Sequence, residues 1–340
     1  MRRSTALIAV PLLACVALAG CGSSSKSSAS SSASASASAS ASASGSTASV
    51  KGAGANPSVT ATGAFGKAPK VTIPKALPGS DLTVKTVIPG TGAAVTKSEA
   101  VAANFTIYTW DGKTSAERGT TFGSAPTLFT ASTLPGLETA LVGKKVGSRV
   151  LAVIPPAQGF GPQGNPQAGI TATTTLVFVV DLIKAYSGTA GASGTQVSDG
   201  GGNLPTVMAK TGQAPTMTFP SSPPPSGLVA KTLIKGSGPK IAKGDLVVAQ
   251  YVGYIWRTKK PFPTGSSSWS SGTPFGFTIG ASPEQVIPGW DKALVGQTAG
   301  SRVILSVPPA EGYGSSGSPQ AGIKGTDTLA FVIDIVDAMK

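Results

Sequence analysis

The chain has 340 residues, enough for two domains of about 150 residues each with additional segments. It contains 44 Gly and 27 Pro, and only 12% of its residues are charged. It has no histidine, and its two cysteines, Cys15 and Cys21, both lie near the start. These absences exclude histidine-based catalytic triads, and beyond residue 21 they exclude disulfides, thiolate nucleophiles and zinc or iron–sulfur sites built on Cys or His. We therefore expect a protein that works without a metal or a cofactor.

The formal net charge of +13 is spread along the chain rather than concentrated in one patch. Residues 81–185 carry eight basic and six acidic groups, and residues 227–340 carry eleven and seven. Their net charges are therefore +2 and +4. Neither segment has the clustered basic and aromatic residues typical of nucleic-acid binding, so we expect no nucleic-acid partner.

Residues 1–21 have the pattern of a secretory signal: two arginines, an apolar run over 6–19, and a small-residue cleavage site. The last four residues, Leu18-Ala19-Gly20-Cys21, resemble the bacterial lipobox. This resemblance implies cleavage before Cys21, lipidation of its sulfur, and anchoring to the outer face of the cell membrane. The alternative is an ordinary signal peptide with an incidental cysteine.

Two segments have the composition of linkers. Residues 22–80 begin as an almost pure Ser/Ala tract and continue rich in Gly, Pro and Lys, which predicts a disordered N-terminal stalk. Residues 186–226 include three consecutive glycines at 200–202 and three prolines at 223–225, which predicts a Gly/Pro-rich linker.

An internal repeat indicates a duplicated domain. Between Pro135 and Asp181, 27 of 47 residues are identical to the residues 153 positions later. Upstream the offset falls to 146, so the second copy carries seven extra residues, which the alignment places somewhere between 257 and 287. A repeat of this length indicates two whole domains, 81–185 and 227–340, rather than a solenoid.

In the second copy we predict strands over Leu246–Trp256, Arg302–Val307 and Thr328–Val336, where apolar and β-branched residues lie between Gly and Pro. Trp290, Ala293 and Leu294 have helical spacing, which predicts one short helix over Gly289–Val295 that ends at Gly296. The predicted fold class is α+β: two domains, each an antiparallel sheet wrapped over one short helix, on a disordered stalk.

Three segments of the second copy resemble the FKBP-type peptidyl-prolyl cis-trans isomerases. They are VIPGWDKALVGQTAGSR (286–302), VPPAEGYGSSGSPQAGI (307–323) and TDTLAFVIDIV (326–336), in the family's order and spacing. The resemblance covers residues 227–340 and implies isomerisation of X–Pro bonds in proline-containing polypeptides, with macrolides as additional ligands. Because residues 81–185 repeat the second copy, the resemblance extends to them.

The resemblance also implies an apolar pocket in the second domain. Trp290 is its expected floor, and the Ile287 N–H and the Tyr313 hydroxyl are its expected donors toward substrate carbonyls. The walls are assigned to six residues and the rim to a seventh: Tyr251, Phe262, Phe275, Val286, Ile287 and Phe331, with Ile323 at the rim. Such a pocket needs no covalent intermediate, because it stabilises the twisted amide by excluding water.

The second copy departs from the family pattern after the long strand, where about three residues are inserted and one family residue is missing. The family has a Phe-Asp pair after the long strand, but here Phe262 is followed by Pro263, and Ser266 is the other residue that the alignment places at the Asp position. The hydrophobic part of the pocket is retained. The absence of the Asp is expected to lower catalytic efficiency and macrolide affinity.

The first copy departs further. Leu137 replaces Trp290, Phe105 replaces Tyr251, Phe160 replaces Tyr313, and either Thr127 or Leu128 falls opposite Phe275. We predict that this domain is not a competent isomerase and acts as a spacer or holds substrate.

The leading hypothesis is a membrane-anchored isomerase that assists the folding of secreted or surface proteins. The alternative is a non-catalytic chaperone or binding module for proline-containing segments, which the missing Asp and the altered first copy favour. A purely structural surface protein is the remaining possibility.

Overall fold

The computed structural model describes residues 54–263 and 265–340. The predicted signal, its lipidation site Cys21 and the Ser/Ala part of the predicted stalk lie outside these residues. The described chain forms two domains, and each has an antiparallel sheet with one seven-residue α-helix. No helix in these two ranges is long and apolar enough to cross a membrane.

The first domain contains a six-stranded sheet in the order β3-β7-β8-β4-β5, with β6 also paired to β4, and a separate two-stranded hairpin β1-β2. Its elements are β1 (Thr60–Thr62), β2 (Lys70–Thr72), β3 (Thr83–Ile88), β4 (Ala100–Trp110), β5 (Ser115–Thr120), β6 (Thr127–Thr130), α1 (Pro135–Leu141), β7 (Arg149–Ile154) and β8 (Thr175–Tyr186).

The second domain contains a seven-stranded sheet in the order β14-β13-β17-β16-β12-β9, with β15 also paired to β13, and a separate hairpin β10-β11. Its elements are β9 (Thr195–Gln196), β10 (Thr206–Met208), β11 (Thr216–Thr218), β12 (Val229–Lys235), β13 (Leu246–Ile255), β14 (Lys260–Pro261), β15 (Phe275–Thr278), α2 (Pro288–Leu294), β16 (Arg302–Val307) and β17 (Leu329–Met339).

The predicted helix and strands of the second copy are present with small changes at their ends. Helix α2 begins at Pro288, whose fixed φ suits the first helical position, and ends before Gly296, whose φ is +83°. Gly289 lets the helix approach the sheet, because a β-carbon there would lie 2.8 Å from Val307 Cγ1. The main core of this domain lies between the buried face of α2 and one face of the sheet.

Residues 54–80 correct the predicted stalk. They form the β1-β2 hairpin, whose Val59 and Ala61 pack with Trp110 in a second core on the outer face of the first sheet. The Arg149 guanidinium donates to the carbonyls of Gly63 (3.0 Å) and Lys67 (2.7 Å). The prediction of disorder is wrong for this segment, because its few apolar residues find a partner in the sheet face.

Residues 186–226 correct the predicted linker in the same way. Strand β9 pairs with β12, and the β10-β11 hairpin packs Val207 and Met217 against the outer face of the second sheet. The Phe219 ring lies 5.2 Å from the Trp256 ring. Each domain therefore includes an N-terminal hairpin, and the predicted domains at 81–185 and 227–340 are too short at their N-terminal ends.

Candidate functional site

The second domain has a cavity of about 140 Å³ beside α2, open to solvent on one side. Ten residues line it: Tyr251, Phe262, Gly265, Phe275, Gln285, Val286, Ile287, Trp290, Tyr313 and Phe331. Most of these side chains are apolar or aromatic. An apolar protein cavity of about 150 Å³ accommodates one benzene ring, so this space suits a single small ring.

Trp290 forms the floor of the cavity. Its side chain is buried, and its ring lies 5.2 Å from the rings of Tyr251 and Phe331 and 5.6 Å from that of Phe277. Its buried indole nitrogen has no hydrogen-bond partner among the described residues. The orientation of the indole is therefore set by ring packing, and the contacts with Tyr251 and Phe331 have the edge-to-face geometry that aromatic pairs prefer.

One wall is formed by strands β13 and β15. The Tyr251 ring meets the Phe275 ring edge-on at 5.9 Å, and Phe275 stacks on Phe277 at 5.4 Å. The Tyr251 hydroxyl donates to the Gly265 carbonyl at 3.1 Å. A backbone carbonyl therefore holds this tyrosine. This carbonyl lies in the loop where the Asp of the family's Phe-Asp pair is replaced in this chain.

The opposite wall is formed by Phe262 and Phe331, whose rings meet edge-on at 5.6 Å. Gly253 makes this contact possible, because a β-carbon at that position would overlap the Phe262 ring. Both phenylalanines are buried, so they present only part of their surface to the cavity.

The rim is formed by the segment that enters α2 and by Tyr313. Nine residues (279–287) join β15 to α2, whereas only four (131–134) join β6 to α1 in the first domain. The Gln285 side chain in this longer segment accepts a hydrogen bond from the Thr278 N–H at 2.8 Å. Within the described residues the Ile287 N–H has no acceptor, so it is available to a bound carbonyl. Tyr313 is 42% exposed at the mouth.

Both tyrosine hydroxyls of the site are stabilised in the protonated form. Burial, and secondarily the neighbouring Tyr313, raises the pKa of Tyr251, and burial raises the pKa of Tyr313. A raised pKa keeps a phenol neutral at and above pH 7, so both groups remain hydrogen-bond donors there. The two tyrosines therefore act as neutral donors in this pH range.

The pH dependence of the site follows from these shifts. The phenols lose their protons only above the ordinary tyrosine value of about 10, and the sequence has no histidine to titrate near neutrality. We expect kcat/KM for an uncharged prolyl peptide to stay constant from pH 6 to pH 9 and to fall only above pH 10. A stopped-flow pH series checks this, and a titration between pH 6 and pH 8 contradicts it.

The structure brings eight residues predicted for the site around one cavity: Tyr251, Phe262, Phe275, Val286, Ile287, Trp290, Tyr313 and Phe331. Ile323 is the exception and corrects the predicted rim. It is 3% exposed, belongs to the main core and is not among the residues that line the cavity. Sequence reasoning missed Gly265 and Gln285, for which no pattern in the sequence gives a signal.

The equivalent region of the first domain contains neither the indole nor the two hydroxyls. Leu137 is fully buried in the core, and Phe105 meets Phe129 edge-on at 6.5 Å. The strand pairing also resolves an ambiguous alignment: Phe275 pairs with Ala249, and Thr127 pairs with the equivalent Ala103. Thr127 is therefore the counterpart of Phe275.

The fold and the cavity together define a class: a small α+β domain that presents a ring-sized aromatic pocket on the helix-covered face of an antiparallel sheet. A family model described as FKBP-type peptidyl-prolyl cis-trans isomerase matches residues 92–183 and 238–336. The two matched segments fall one in each domain.

Relatives with curated descriptions agree. The chain is 37% identical over 124 residues to an FK506-binding protein of Streptomyces anulatus, covering 36% of this chain and 96% of the relative. It is 33% identical over 128 residues to a probable FK506-binding protein of Corynebacterium glutamicum, covering 37% and 99%. Among solved structures, FkpA from Escherichia coli matches with 32% identity, 33% coverage of this chain, 48% of the other and a TM-score of 0.29. The chain belongs to the FKBP-type peptidyl-prolyl cis-trans isomerases, an enzyme family.

Proposed function

We propose that the second domain isomerises X–Pro bonds in secreted or surface polypeptides and so assists their folding. The observation that carries this proposal is the ring-sized aromatic cavity with Trp290 as its floor. Uncatalysed X–Pro isomerisation takes tens to hundreds of seconds and can limit folding. A polypeptide that folds outside the cytoplasm therefore benefits from such a catalyst.

The proposed chemistry is the rotation of one amide bond. The barrier is about 18–20 kcal/mol because the planar amide is stabilised by resonance. The twisted amide has a less polar carbonyl, so an apolar cavity that excludes water destabilises it less than the planar form. In this scheme the proline ring lies on Trp290, and the Ile287 N–H and the Tyr313 hydroxyl donate to substrate carbonyls.

Replacing Tyr313 with phenylalanine tests the proposed donor. We expect Tyr313→Phe to lower kcat/KM for a prolyl peptide about fivefold, which corresponds to the loss of one hydrogen bond of about 1 kcal/mol. The measurement is a protease-coupled isomerisation assay on the full chain. Tyr254→Phe is the matched control, since Tyr254 packs on the outer face of the sheet. Equal rates for the two variants contradict the role of Tyr313.

A binding module without turnover is the second candidate, favoured by the absent Asp of the family pattern and by the first domain. The same assay separates the two functions, because a binding module retains peptide affinity while leaving the isomerisation rate at its uncatalysed value. We also propose that a macrolide binds at the cavity, since two relatives are described as FK506-binding proteins. A competing macrolide then inhibits turnover.

We further propose that the protein is held at the outer face of the cell membrane through a lipid on Cys21. The support is the sequence Leu18-Ala19-Gly20-Cys21 after a basic and apolar leader. We expect Cys21→Ser to move the protein from the membrane fraction to the medium and to abolish its labelling by a radioactive fatty acid. Retention of label in Cys21→Ser contradicts the proposal.

A further inference from the structure

The two domains contact each other through equivalent faces. Strands β4 and β6 of the first domain meet β13 and β15 of the second around a shared buried cluster. Its central members are Ala102, Tyr186, Leu246 and Val248. Ala102 and Val248 are 146 positions apart, the offset of this part of the repeat, so the same position of each copy lies in the contact. The arrangement is that of an isologous dimer within one chain.

Equivalent positions at this contact have diverged into complementary residues. Lys184 and Asp337 are 153 positions apart, the offset of this part of the repeat, and their Nζ and Oδ2 atoms lie 2.5 Å apart. The Tyr186 hydroxyl also donates to Asp337 Oδ2 at 2.8 Å. Two identical copies would bring like charges together here, so the divergence favours pairing of the first domain with the second.

A second equivalent pair is complementary in shape. In the strand ladders Leu128 lies opposite Ala102, and Gly276 lies opposite Val248, so Leu128 and Gly276 hold the same place in the two copies. A β-carbon at Gly276 would overlap the Leu128 β-carbon and lie 2.9 Å from its Cδ2. The leucine of one copy therefore occupies the space left by the glycine of the other.

Gly276 lies on the back of a pocket wall. It separates Phe275 and Phe277, which point to the other face of β15 and carry the ring contacts to Tyr251 and Trp290. Strand β15 has only four residues, and among the described residues it pairs only with β13. A short strand bonded on one side has little intrinsic rigidity, so the packing behind it determines how firmly Phe275 is held.

We propose that the first domain is a positioning element for the pocket of the second domain, with Leu128 as its positioning residue. Leu128 packs behind Gly276 and fixes β15, which keeps Phe275 and Phe277 against the aromatic floor. The inference rests on the proposed function, because the positioned cavity is the proposed isomerase site. It gives the first domain a role that needs neither an indole nor a tyrosine hydroxyl.

The test uses the full chain and perturbs the contact from both sides. Leu128→Ala removes the packing atoms, Gly276→Ala forces the strands apart, and Val142→Ala, an exposed first-domain position outside the interface, is the matched control. We expect a three- to tenfold loss of kcat/KM in the first two variants, mostly through KM, and partial rescue by Leu128→Met. In a Leu128→Gly background the effect of Gly276→Ala is expected to shrink, because the atoms it would overlap are gone.

A spectroscopic readout makes the test independent of turnover. The protein is labelled with 5-fluorotryptophan, and the Trp290 resonance is assigned with Trp290→Phe. We expect Leu128→Ala and Gly276→Ala to shift or broaden this resonance while that of Trp110, buried in the first domain, stays in place. If the parent protein has no isomerase activity, the proposed function fails and the Trp290 resonance alone decides the positioning role. Unchanged Trp290 resonance and peptide affinity in both variants overturn the inference.

Discussion

Replacing Trp290 with leucine is expected to lower kcat/KM for a prolyl peptide by at least tenfold, or about 1.4 kcal/mol of transition-state stabilisation. The variant removes ring contacts with Tyr251, Phe277 and Phe331 and lowers the floor of the cavity. A wider and less rigid cavity admits water beside the amide, which favours the planar ground state. Leucine is also the residue that the first domain has at this place, Leu137.

The measurement is the protease-coupled isomerisation assay on the full chain, with peptide affinity measured in parallel. Trp269→Phe is the matched control, because Trp269 lies outside the residues that line the cavity. Since Trp290 belongs to the core, a thermal melt of Trp290→Leu must accompany the rates. A folded Trp290→Leu protein with at least half of the parental kcat/KM contradicts the assignment of the cavity as the site.

The same variant reports on the first domain. With leucine at both equivalent positions, any rate above the uncatalysed one belongs to a pocket that needs no indole. We expect the residual rate to be close to background, because Phe105 and Phe160 also lack the hydroxyls of Tyr251 and Tyr313. Substantial residual activity would instead show that catalysis needs no indole at this position.

Periodicity and the repeat predict the central part of each domain well. Strand β16 has the predicted ends, and α2 begins one residue before the predicted start, because Pro288 is a favoured first residue and Gly296 is a clear stop. The pocket residues of the second domain could be predicted because the motifs that carry them keep their order and spacing. Their convergence on one cavity is a finding of the structure.

The N-terminal hairpins could not be predicted from local composition. Their strands have three residues each and lie among Gly, Pro and Ala, which is the composition of a linker. Their stability comes from contact with the outer face of a sheet distant in sequence. A weak signal existed, since Ala68-Pro69 and Ala214-Pro215 share the upstream offset of 146 and extend the repeat into both hairpins.

Two further features could not be predicted from the sequence: the direction of individual loop side chains and the contact between the domains. Ile323 follows a glycine in a loop, and nothing in its neighbours distinguishes a rim position from a core position. Lys184 and Asp337 have the character of ordinary charged residues near strand ends. Their pairing requires the relative placement of two domains, which no local pattern encodes.

Replacing Asp181 with asparagine is expected to lower the free energy of unfolding of the first domain by about 3–5 kcal/mol. Arg149 and Asp181 form a bidentate pair with distances of 2.6 and 2.7 Å, and both side chains are fully buried. Asparagine keeps the shape but leaves the guanidinium without a counter-charge. Asp181 Oδ2 also accepts from the Gly66 N–H at 2.7 Å, so the β1-β2 hairpin loses part of its attachment.

The second domain provides the matched comparison. Arg302 and Asp334 form the equivalent pair, but the Arg302 side chain is 12% exposed, and within the described residues its guanidinium makes no contacts equivalent to those of Arg149 with Gly63 and Lys67. We therefore expect Asp334→Asn to have a smaller effect. Hydrogen exchange read by mass spectrometry separates the two domains, and an Asp181→Asn effect below 1 kcal/mol, or one that salt abolishes, contradicts the argument.

A double replacement separates the effect of the Arg149–Asp181 charges from the effect of the hairpin contacts that Arg149 makes. Arg149→Met with Asp181→Leu removes both charges and fills the space with apolar atoms, which in other proteins is neutral or stabilising for a buried ion pair. Here the carbonyls of Gly63 and Lys67 would lose their donors, so only part of the stability should return. The stability that does not return measures the attachment of the hairpin, and it should coincide with faster proteolysis near residues 63–67. Full recovery of stability with an unchanged proteolysis rate would show that the ion pair stabilises only the sheet and does not hold the hairpin.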